Sequence, residues 1–256
     1  APATLLLLHG WTASADLQFF TAYEELAEQY SFVAVDHRGH GRGIRAPFTL
    51  EDAADDAAAL VRQLGVGPVV LIGFSMGGPI SLLFADRHPD LVAGIIVQAT
   101  AMEWKATRRD RAQWKGLGVM GMLLRSRWHP RLLEAAVRRI LPEFPDVEQW
   151  MPWLEGEVRR GDALGIIQAG RGLAAFDARP WAGSLGRPAG MLVTTADRLV
   201  KPRKQWQLAK ALGAEVRELP FDHLCTLTNP VEYSAATRAL VDHVVDFTAE
   251  GIERGD

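Results

Sequence analysis

Short apolar runs alternate along the chain with longer segments in which apolar residues recur at helical spacing. Six runs rich in Val, Ile and Leu are predicted as β-strands: Thr4–Leu8, Phe32–Val35, Val69–Ile72, Ile95–Gln98, Met191–Thr195 and Glu215–Leu219. Their apolar character is mostly continuous rather than alternating, which favours parallel strands that are covered on both faces. Alternation of such strands with helices predicts βαβ units around a parallel sheet.

Helix signals lie between these strands. Thr49 is a candidate N-cap, and Gly65 a candidate C-cap, for a helix with one apolar face. That face is formed by Ala53, Ala57, Leu60, Val61 and Leu64. Pro202 and Pro230 stand where the first turn of a helix tolerates proline, so we expect two further helices to begin there.

The stretch between residues 101 and 181 breaks the strand–helix rhythm. It has no convincing strand, and it is rich in Arg, Trp, Met and Pro. We predict a helical cap here, inserted into a core domain that residues 1–100 and 182–256 form. Six of the eight tryptophans fall in this stretch. We expect some of them, Trp128 and Trp153 first, to line an apolar substrate pocket; the alternative is that they only hold small helices together.

The strongest chemical signal is the segment Gly73-Phe74-Ser75-Met76-Gly77-Gly78. It follows a buried-strand pattern and precedes a helical pattern, Ile80–Arg87. A serine between two glycines at this spacing is typical of a nucleophile elbow, where the chain turns sharply from strand to helix. The N-terminus of that helix then points at the site and favours developing negative charge. We predict Ser75 as a catalytic nucleophile.

A serine nucleophile needs a base, and the base needs an acid that orients it. With this elbow the expected chain order is serine, acid, histidine. His223 follows the last predicted strand, in a loop before the final helix, and is predicted as the base. Asp197 ends the preceding strand and is predicted as the acid, because a carboxylate there lies at the same sheet edge as Ser75. The rival acid is Asp222, but a residue adjacent to the histidine rarely reaches its Nδ1.

His9-Gly10-Trp11 follows the first predicted strand directly. Acyl transfer needs two N–H donors at the place where the tetrahedral oxygen forms. We predict that the backbone N–H groups of Trp11 and Met76 form this oxyanion hole. We also expect the Trp11 side chain to line the substrate pocket and His9 to be structural.

The segment Asp36–Gly43, with the sequence DHRGHGRG, follows the second strand. Its glycines imitate a dinucleotide-binding fingerprint, but no helix opens directly after it, and Pro47 stands just downstream. His37 and His40 resemble a metal-binding pair, yet no third ligand is near in the sequence. We therefore expect a structural turn beside the active site, with no cofactor and no metal.

Composition narrows the function further. The chain has 256 residues, 48% of them hydrophobic, and a net charge of −3, which favours a soluble domain without a nucleic-acid partner. The single cysteine, Cys225, excludes an intrachain disulfide framework. No apolar run approaches the ~18 residues that a membrane span needs, and the start of the sequence lacks a signal-peptide pattern. We expect a cytoplasmic protein that acts on a small molecule, away from membranes; its oligomeric state is left open.

Together these motifs resemble the α/β-hydrolase fold family, in the branch with a helical cap. The matching residues span nearly the whole chain outside the cap: His9-Gly10-Trp11, Asp36–Gly41, the Ser75 segment, Asp197 and His223. The resemblance implies an α/β fold, with a mostly parallel sheet, helices on both faces and an inserted helical cap. Serine at position 75 separates the chain from haloalkane dehalogenases and epoxide hydrolases, which use aspartate there. Family members usually begin with a strand hairpin and have eight strands, whereas six are counted here.

The resemblance implies several classes of function. The first is a serine hydrolase that cleaves a carboxylic ester with an apolar acyl or aryl group through an acyl-enzyme, as carboxylesterases do. The second is a carbon–carbon bond hydrolase or lyase with the same triad, of the meta-cleavage-product or menaquinone-pathway type; lactonases and perhydrolases are further alternatives. The third is a ligand receptor without catalysis, which the intact set of Ser75, Asp197 and His223 disfavours.

Overall fold

A computed structural model describes residues 3–105 and 147–254. The strands in these ranges are β1 (Thr4–Leu8), β2 (Phe32–Val35), β3 (Val69–Phe74), β4 (Val92–Gln98), β5 (Ala189–Thr194) and β6 (Glu215–Leu219). They form one sheet in the order β2-β1-β3-β4-β5-β6, and all neighbouring strands are parallel. Each strand overlaps one of the six predicted runs, so the predicted parallel sheet is confirmed.

Helices surround this sheet. In the described ranges the α-helices are α1 (Ala15–Phe19), α2 (Tyr23–Ala27), α3 (Leu50–Leu64), α4 (Gly77–Arg87), α5 (Val147–Arg160), α6 (Ala163–Ala175), α7 (Pro202–Leu212), α8 (Cys225–Thr228) and α9 (Pro230–Arg254). Short 3-10 turns occupy Phe20–Ala22, Pro89–Leu91 and Ala182–Ser184. None of the helices in these ranges combines the length and the apolar character needed to cross a bilayer. Trp128 lies outside the described residues.

Local capping chemistry sets the bounds of α3. The Thr49 hydroxyl accepts a hydrogen bond from the backbone N–H of Asp52 at 3.0 Å, which satisfies one of the free amides of the first turn. Gly65 ends the helix with φ = 64°, a conformation that glycine adopts without steric strain. Both predicted caps are confirmed. The predicted helix starts at Pro202 and Pro230 are confirmed as well.

Successive side chains of a strand point to opposite faces, so the sheet separates two apolar cores. Leu6 and Leu8 of β1 pack with α3, α4 and α7 on one face. Leu5 and Leu7 pack on the other face with α9, to which Tyr233 belongs. All four leucines are fully buried. Burial on both faces is the physical reason why inner strands such as β1 form continuous apolar runs in the sequence.

Helices α5 and α6 lie within the predicted cap, and the chain segments that flank the cap run side by side. Glu103 pairs with Asp177 in an isolated antiparallel bridge, and Ala178 N donates to Met102 O at 2.8 Å. A mostly buried ion pair of 3.0 Å joins Glu103 to Lys204 on α7. These contacts therefore fasten the segments that flank the predicted cap to the core. The cap boundaries at 101 and 181 stay predictions.

Candidate active site

Ser75 lies at the sharp turn between β3 and α4. Its backbone has φ = 51°, in the left-handed region that non-glycine residues rarely adopt. Neighbouring groups hold this conformation, because Ser75 N donates to Gln98 O at 2.9 Å and Thr100 Oγ1 donates to Ser75 O at 2.7 Å. The serine follows the carboxyl end of β3 at the geometry that an elbow requires.

Close backbone contacts require two of the glycines in this elbow. A Cβ atom on Gly77 would overlap the Leu8 carbonyl oxygen, and one on Gly73 would overlap the Gly77 carbonyl oxygen. A larger residue at either position would push α4 away from the sheet. The glycines thus let α4 begin directly behind Ser75, with its N-terminal amides at the same sheet edge.

His223 lies in the loop between β6 and α8, and it connects the other two predicted residues. Its Nε2 is 3.1 Å from Ser75 Oγ, and its Nδ1 is 2.8 Å from Asp197 Oδ2. The ring of Phe74 packs against the imidazole in an edge-to-face contact, with centroids 5.3 Å apart. A serine, an imidazole and a carboxylate in one hydrogen-bonded line form the arrangement that activates a serine for nucleophilic attack.

Asp197 follows β5, and its side chain is fully buried. Its Oδ1 accepts hydrogen bonds from the backbone N–H groups of Leu199 and Val200, both at 2.8 Å. Its Oδ2 faces His223 and also accepts a hydrogen bond from Thr194 Oγ1 at 2.9 Å. These donors fix the orientation of the carboxylate, so that Oδ2 is held toward the imidazole.

Gln205 on α7 supports this carboxylate, although no sequence motif points to it. Its Nε2 lies 3.2 Å from Asp197 Oδ2 and 2.7 Å from Val200 O, and its Oε1 accepts from Thr194 N at 2.9 Å. The residue is fully buried. The only signal in the sequence is a glutamine one helical turn before Leu208, on the face of α7 that packs on the core.

Asp222, the alternative acid, is oriented differently. Its Oδ1 accepts a hydrogen bond from the backbone N–H of His223 at 2.6 Å, and its Oδ2 lies 3.9 Å from Arg198 Nε. Its side chain is 47% exposed, whereas that of Asp197 is not exposed. The carboxylate that meets the imidazole is therefore that of Asp197.

The two predicted oxyanion donors lie close to Ser75. Met76 follows it directly as the N-cap of α4, a position where backbone N–H groups have no acceptor within the helix. Trp11 follows Gly10, and a Cβ atom on Gly10 would be only 3.3 Å from Ser75 Cβ. The loop that carries Trp11 thus passes in van der Waals contact with the serine. The role of the two N–H groups as oxyanion donors stays a prediction.

The indole ring of Trp11 is directed at α6. Its Nε1 donates to Ile166 O at 2.7 Å, and its six-membered ring lies against Gly170 so closely that a Cβ atom there would be 2.8 Å from Cζ2. These contacts fix the ring between the core and the predicted cap. Its role in lining the substrate pocket stays a prediction.

Trp153 on α5 belongs to an aromatic cluster. Its ring centroid is 5.9 Å from that of Trp150 and 5.0 Å from that of Phe20, which follows α1. Trp153 is partly buried and Trp150 is 40% exposed. The cluster joins α5 to the core, as expected if the tryptophans hold helices together. A further role of Trp153 in binding substrate stays a prediction.

His9, His37 and His40 form a buried cluster beside the site. The ring centroid of His9 is 4.2 Å from that of His37 and 5.4 Å from that of His40. Burial, with a smaller contribution from His40, lowers the pKa of His9 to about 3, and burial also lowers the pKa of His37 and His40. The neutral ring of His9 takes part in a hydrogen bond within the cluster, in which its Nε2 accepts from the backbone N–H of His37 at 3.1 Å. Among the described residues, no group of His, Cys, Asp and Glu side chains has the arrangement of a metal site.

Two curated proteins are similar to this chain in sequence. The chain is 27% identical over 251 residues to a pimeloyl-(acyl-carrier protein) methyl ester esterase of Chromobacterium violaceum, covering 94% of this chain and 93% of that one. It is 34% identical over 94 residues to a 2-(acetamidomethylene)succinate hydrolase of Mesorhizobium japonicum, covering 36% of this chain and 34% of that relative.

A solved structure and a family profile also match the chain, and both indicate the same fold. The crystal structure of an enol-lactonase from Burkholderia xenovorans superimposes with a TM-score of 0.80 at 19% identity, over 94% of this chain and 92% of that one. The family profile of the α/β hydrolase fold matches residues 3–230. The parallel sheet, the serine elbow and these matches lead to one conclusion: the chain belongs to the α/β-hydrolase fold family.

Proposed function

We propose that this protein is a serine hydrolase that cleaves carboxylic esters through an acyl-enzyme intermediate. One observation carries the proposal: the hydrogen-bonded line from Ser75 Oγ through His223 to the buried carboxylate of Asp197, with distances of 3.1 and 2.8 Å. Support also comes from the methyl ester esterase to which the chain is similar over nearly its whole length.

In the first half of the reaction, Ser75 Oγ attacks the carbonyl carbon of the ester while His223 Nε2 takes the hydroxyl proton. Asp197 holds the imidazole in the tautomer with a proton on Nδ1 and stabilises the imidazolium that forms. When the tetrahedral intermediate collapses, the imidazolium gives its proton to the leaving alcohol. The product of this half is an acyl group bound to Ser75 Oγ.

In the second half, His223 takes a proton from water, and the resulting hydroxide equivalent attacks the acyl carbonyl carbon. When the new tetrahedral intermediate collapses, the bond to Ser75 Oγ breaks, the carboxylic acid is released and the imidazolium of His223 returns its proton to Ser75 Oγ. Both intermediates carry negative charge on the former carbonyl oxygen. The backbone N–H groups of Trp11 and Met76, together with the N-terminus of α4, are the groups proposed to stabilise that charge.

The experiment is an assay of purified protein with p-nitrophenyl esters of increasing acyl length, run beside Ser75→Ala. We expect turnover of short and medium esters, with a burst of one p-nitrophenol per protein molecule if deacylation is slower than acylation. Turnover of ring-cleavage diketones with no turnover of any ester would instead favour the carbon–carbon hydrolase alternative. Binding of esters or ring-cleavage diketones without turnover of either would favour the alternative that the protein is a ligand receptor.

A further inference from the structure

The loop between β1 and α1, residues 9–14, carries the predicted oxyanion donor Trp11. This loop has little regular structure: Thr12 has φ = 66°, and Ala13 N donates to Gly10 O at a long 3.3 Å. A backbone in such a conformation persists only where surrounding contacts hold it. The position of the Trp11 N–H relative to Ser75 therefore depends on what the loop touches.

Ser14 ends this loop and contacts the cap. It is fully buried, and its Oγ donates to Glu157 Oε2 on α5 at 2.8 Å while accepting from Leu17 N at 3.1 Å. One hydroxyl thus caps α1 and also joins the loop to a helix that lies far away in the sequence. Because Ser14 is only three residues from Trp11, a shift of Ser14 would move the Trp11 peptide.

Glu157 is only 3% exposed. Its second oxygen, Oε1, lies 3.0 Å from a terminal nitrogen of Arg42 and 3.1 Å from Arg160 Nε. Arg42 continues the network to Asp16 on α1 at 3.0 Å. The two guanidinium groups compensate a carboxylate that would otherwise be buried at high free-energy cost. They leave Oε2 directed at Ser14, so the network joins α5, α1 and the glycine-rich turn 36–43.

We propose that Glu157 is a positioning residue, which holds loop 9–14 through Ser14 so that the Trp11 N–H meets the oxyanion formed at Ser75. The inference rests on the proposed function, because it requires an oxyanion. Glu157 itself touches no reacting atom.

An apolar side chain at position 157 can keep α5 packed on the core. The side chains of Arg42 and Arg160 that lose their partner are each 49% exposed, so water compensates their charge and no buried charge is left unpaired. The apolar side chain could not accept the hydrogen bond of the Ser14 hydroxyl. Oxyanion stabilisation depends steeply on the position of the donor, and a displacement of about 1 Å can lower a rate ~100-fold. Loss of the Ser14 contact should therefore appear in kcat rather than in substrate binding.

Glu157→Leu tests the proposal, with a p-nitrophenyl ester as substrate. We expect kcat to fall roughly 10- to 100-fold while KM changes less than about threefold. The affinity for an aryl trifluoromethyl ketone, which forms a tetrahedral adduct with a serine, should fall by the same factor as kcat. Glu157→Gln should restore most of kcat, because its amide oxygen can still accept from Ser14.

Arg45→Ala is the matched control. Arg45 donates to the carbonyl oxygen of Arg160 at 2.6 Å, so the variant removes another tether of α5 without touching loop 9–14. It should keep the wild-type kcat. Ser14→Ala breaks the same link from the other side and should reproduce the losses of Glu157→Leu, which provides a second test if that variant does not fold.

Unchanged kcat in folded Glu157→Leu or Ser14→Ala, or an effect on KM alone, would overturn the inference and leave the ester-hydrolase proposal standing. Equal loss of kcat in Arg45→Ala would also overturn it, because the effect would then follow general docking of α5. A wild-type protein that turns over no ester would remove the proposed function, and the inference with it. Circular dichroism and thermal melting identify the folded variants.

Discussion

The sheet edge and the helices of the predicted cap differ in the contacts that hold them in place. At the sheet edge, Ser75 and Asp197 follow β3 and β5, in which every residue is buried. In the predicted cap, α5 and α6 meet the core through hydrogen bonds, ion pairs and close backbone contacts as well as through apolar packing, such as that of Leu173 in the core and of Trp153 on Phe20. The proposed chemistry therefore lies at the ends of fully buried strands, and the proposed substrate cover lies on helices that depend partly on polar contacts.

Contacts between α6 and the core illustrate the second kind of attachment. Gly39 and Gly165 are so close that a Cβ atom on Gly39 would be 2.9 Å from the Cα atom of Gly165. Asp162 N donates to Gly39 O, and Phe48 N donates to Gln168 Oε1, both at 2.8 Å. Replacing such contacts shifts a helix without removing a core. We expect substitutions at the sheet edge to change kcat by orders of magnitude, and substitutions of apolar side chains in the predicted cap to change selectivity severalfold.

Ser75→Ala at the sheet edge should cause the strongest loss of activity. Without its hydroxyl the protein has no nucleophile, so kcat on p-nitrophenyl esters should fall at least ~1,000-fold. The far-UV circular dichroism spectrum should remain that of the wild type. If the variant keeps more than about a tenth of the wild-type activity, Ser75 is not the nucleophile.

The two carboxylates next to His223, those of Asp197 and Asp222, should differ in how much they contribute to catalysis. Asp197→Asn should lower kcat roughly 100- to 10,000-fold, because an amide there favours the wrong imidazole tautomer. Asp222→Asn should lower it less than about fivefold, since the amide oxygen can still accept from the His223 N–H, the contact made at 2.6 Å. Steady-state kinetics of the two variants decide the assignment, and the reverse ranking would move the acid to Asp222.

The buried histidines His9, His37 and His40 lie between the sheet edge and the predicted cap. Their lowered pKa values predict that the protein loses stability in acid. Folding lowers the pKa of His9 from 6.5 to about 3, so below pH 6.5 the unfolded chain binds a proton that the native state does not. The contribution of His9 is complete above about pH 6.5 and declines between pH 6.5 and 3, by roughly 2 kcal/mol at pH 5.

Urea unfolding at pH 7.5 and pH 5 measures this difference. His9→Gln should show a smaller decline in the free energy of unfolding between the two pH values. His243→Gln, at an exposed position on α9, serves as control and should decline as the wild type does. An equal decline in all three proteins would show that His9 is not buried as a neutral imidazole.

Substitution of an apolar side chain in the predicted cap should change only the selectivity, and by a modest factor. Trp153→Ala should shift preference toward longer acyl groups, at up to roughly 0.8 kcal/mol, or about fourfold in kcat/KM, for each further methylene that the enlarged pocket buries. Trp206→Ala, at a tryptophan 41% exposed on α7, is the control and should leave the preference unchanged. An unchanged preference in folded Trp153→Ala would show that Trp153 packs against Trp150 and Phe20 but does not line the substrate pocket.

Most of the fold could be predicted because burial on both faces leaves a continuous apolar pattern in the inner strands β1, β3, β4 and β5. The predicted ends fell short where small residues or glycine lie inside a strand. Val92–Gly94 at the start of β4, Gly73 and Phe74 at the end of β3, and Ala189 and Gly190 at the start of β5 are such cases. Glycine and alanine have little strand preference of their own, so only pairing with a neighbouring strand reveals them.

The residues of the candidate site that lie in local sequence patterns could be predicted. The elbow has a fixed spacing around Ser75, and a histidine in the loop before the last helix is a local feature. The link between Ser14 and Glu157 joins positions 143 residues apart, and no local pattern marks either residue as a partner. Gln205 and the contact of His9 with His37 depend in the same way on the packing of distant segments.

The most direct test of the account is to locate the adduct of a small fluorophosphonate by mass spectrometry of the digested protein. We expect a single modified residue, Ser75, with modification proceeding in parallel with the loss of esterase activity and much more slowly in His223→Ala. Complete modification of Ser75 with esterase activity retained, or complete inactivation with the adduct on another residue, would contradict the assignment of Ser75 as a nucleophile activated by His223.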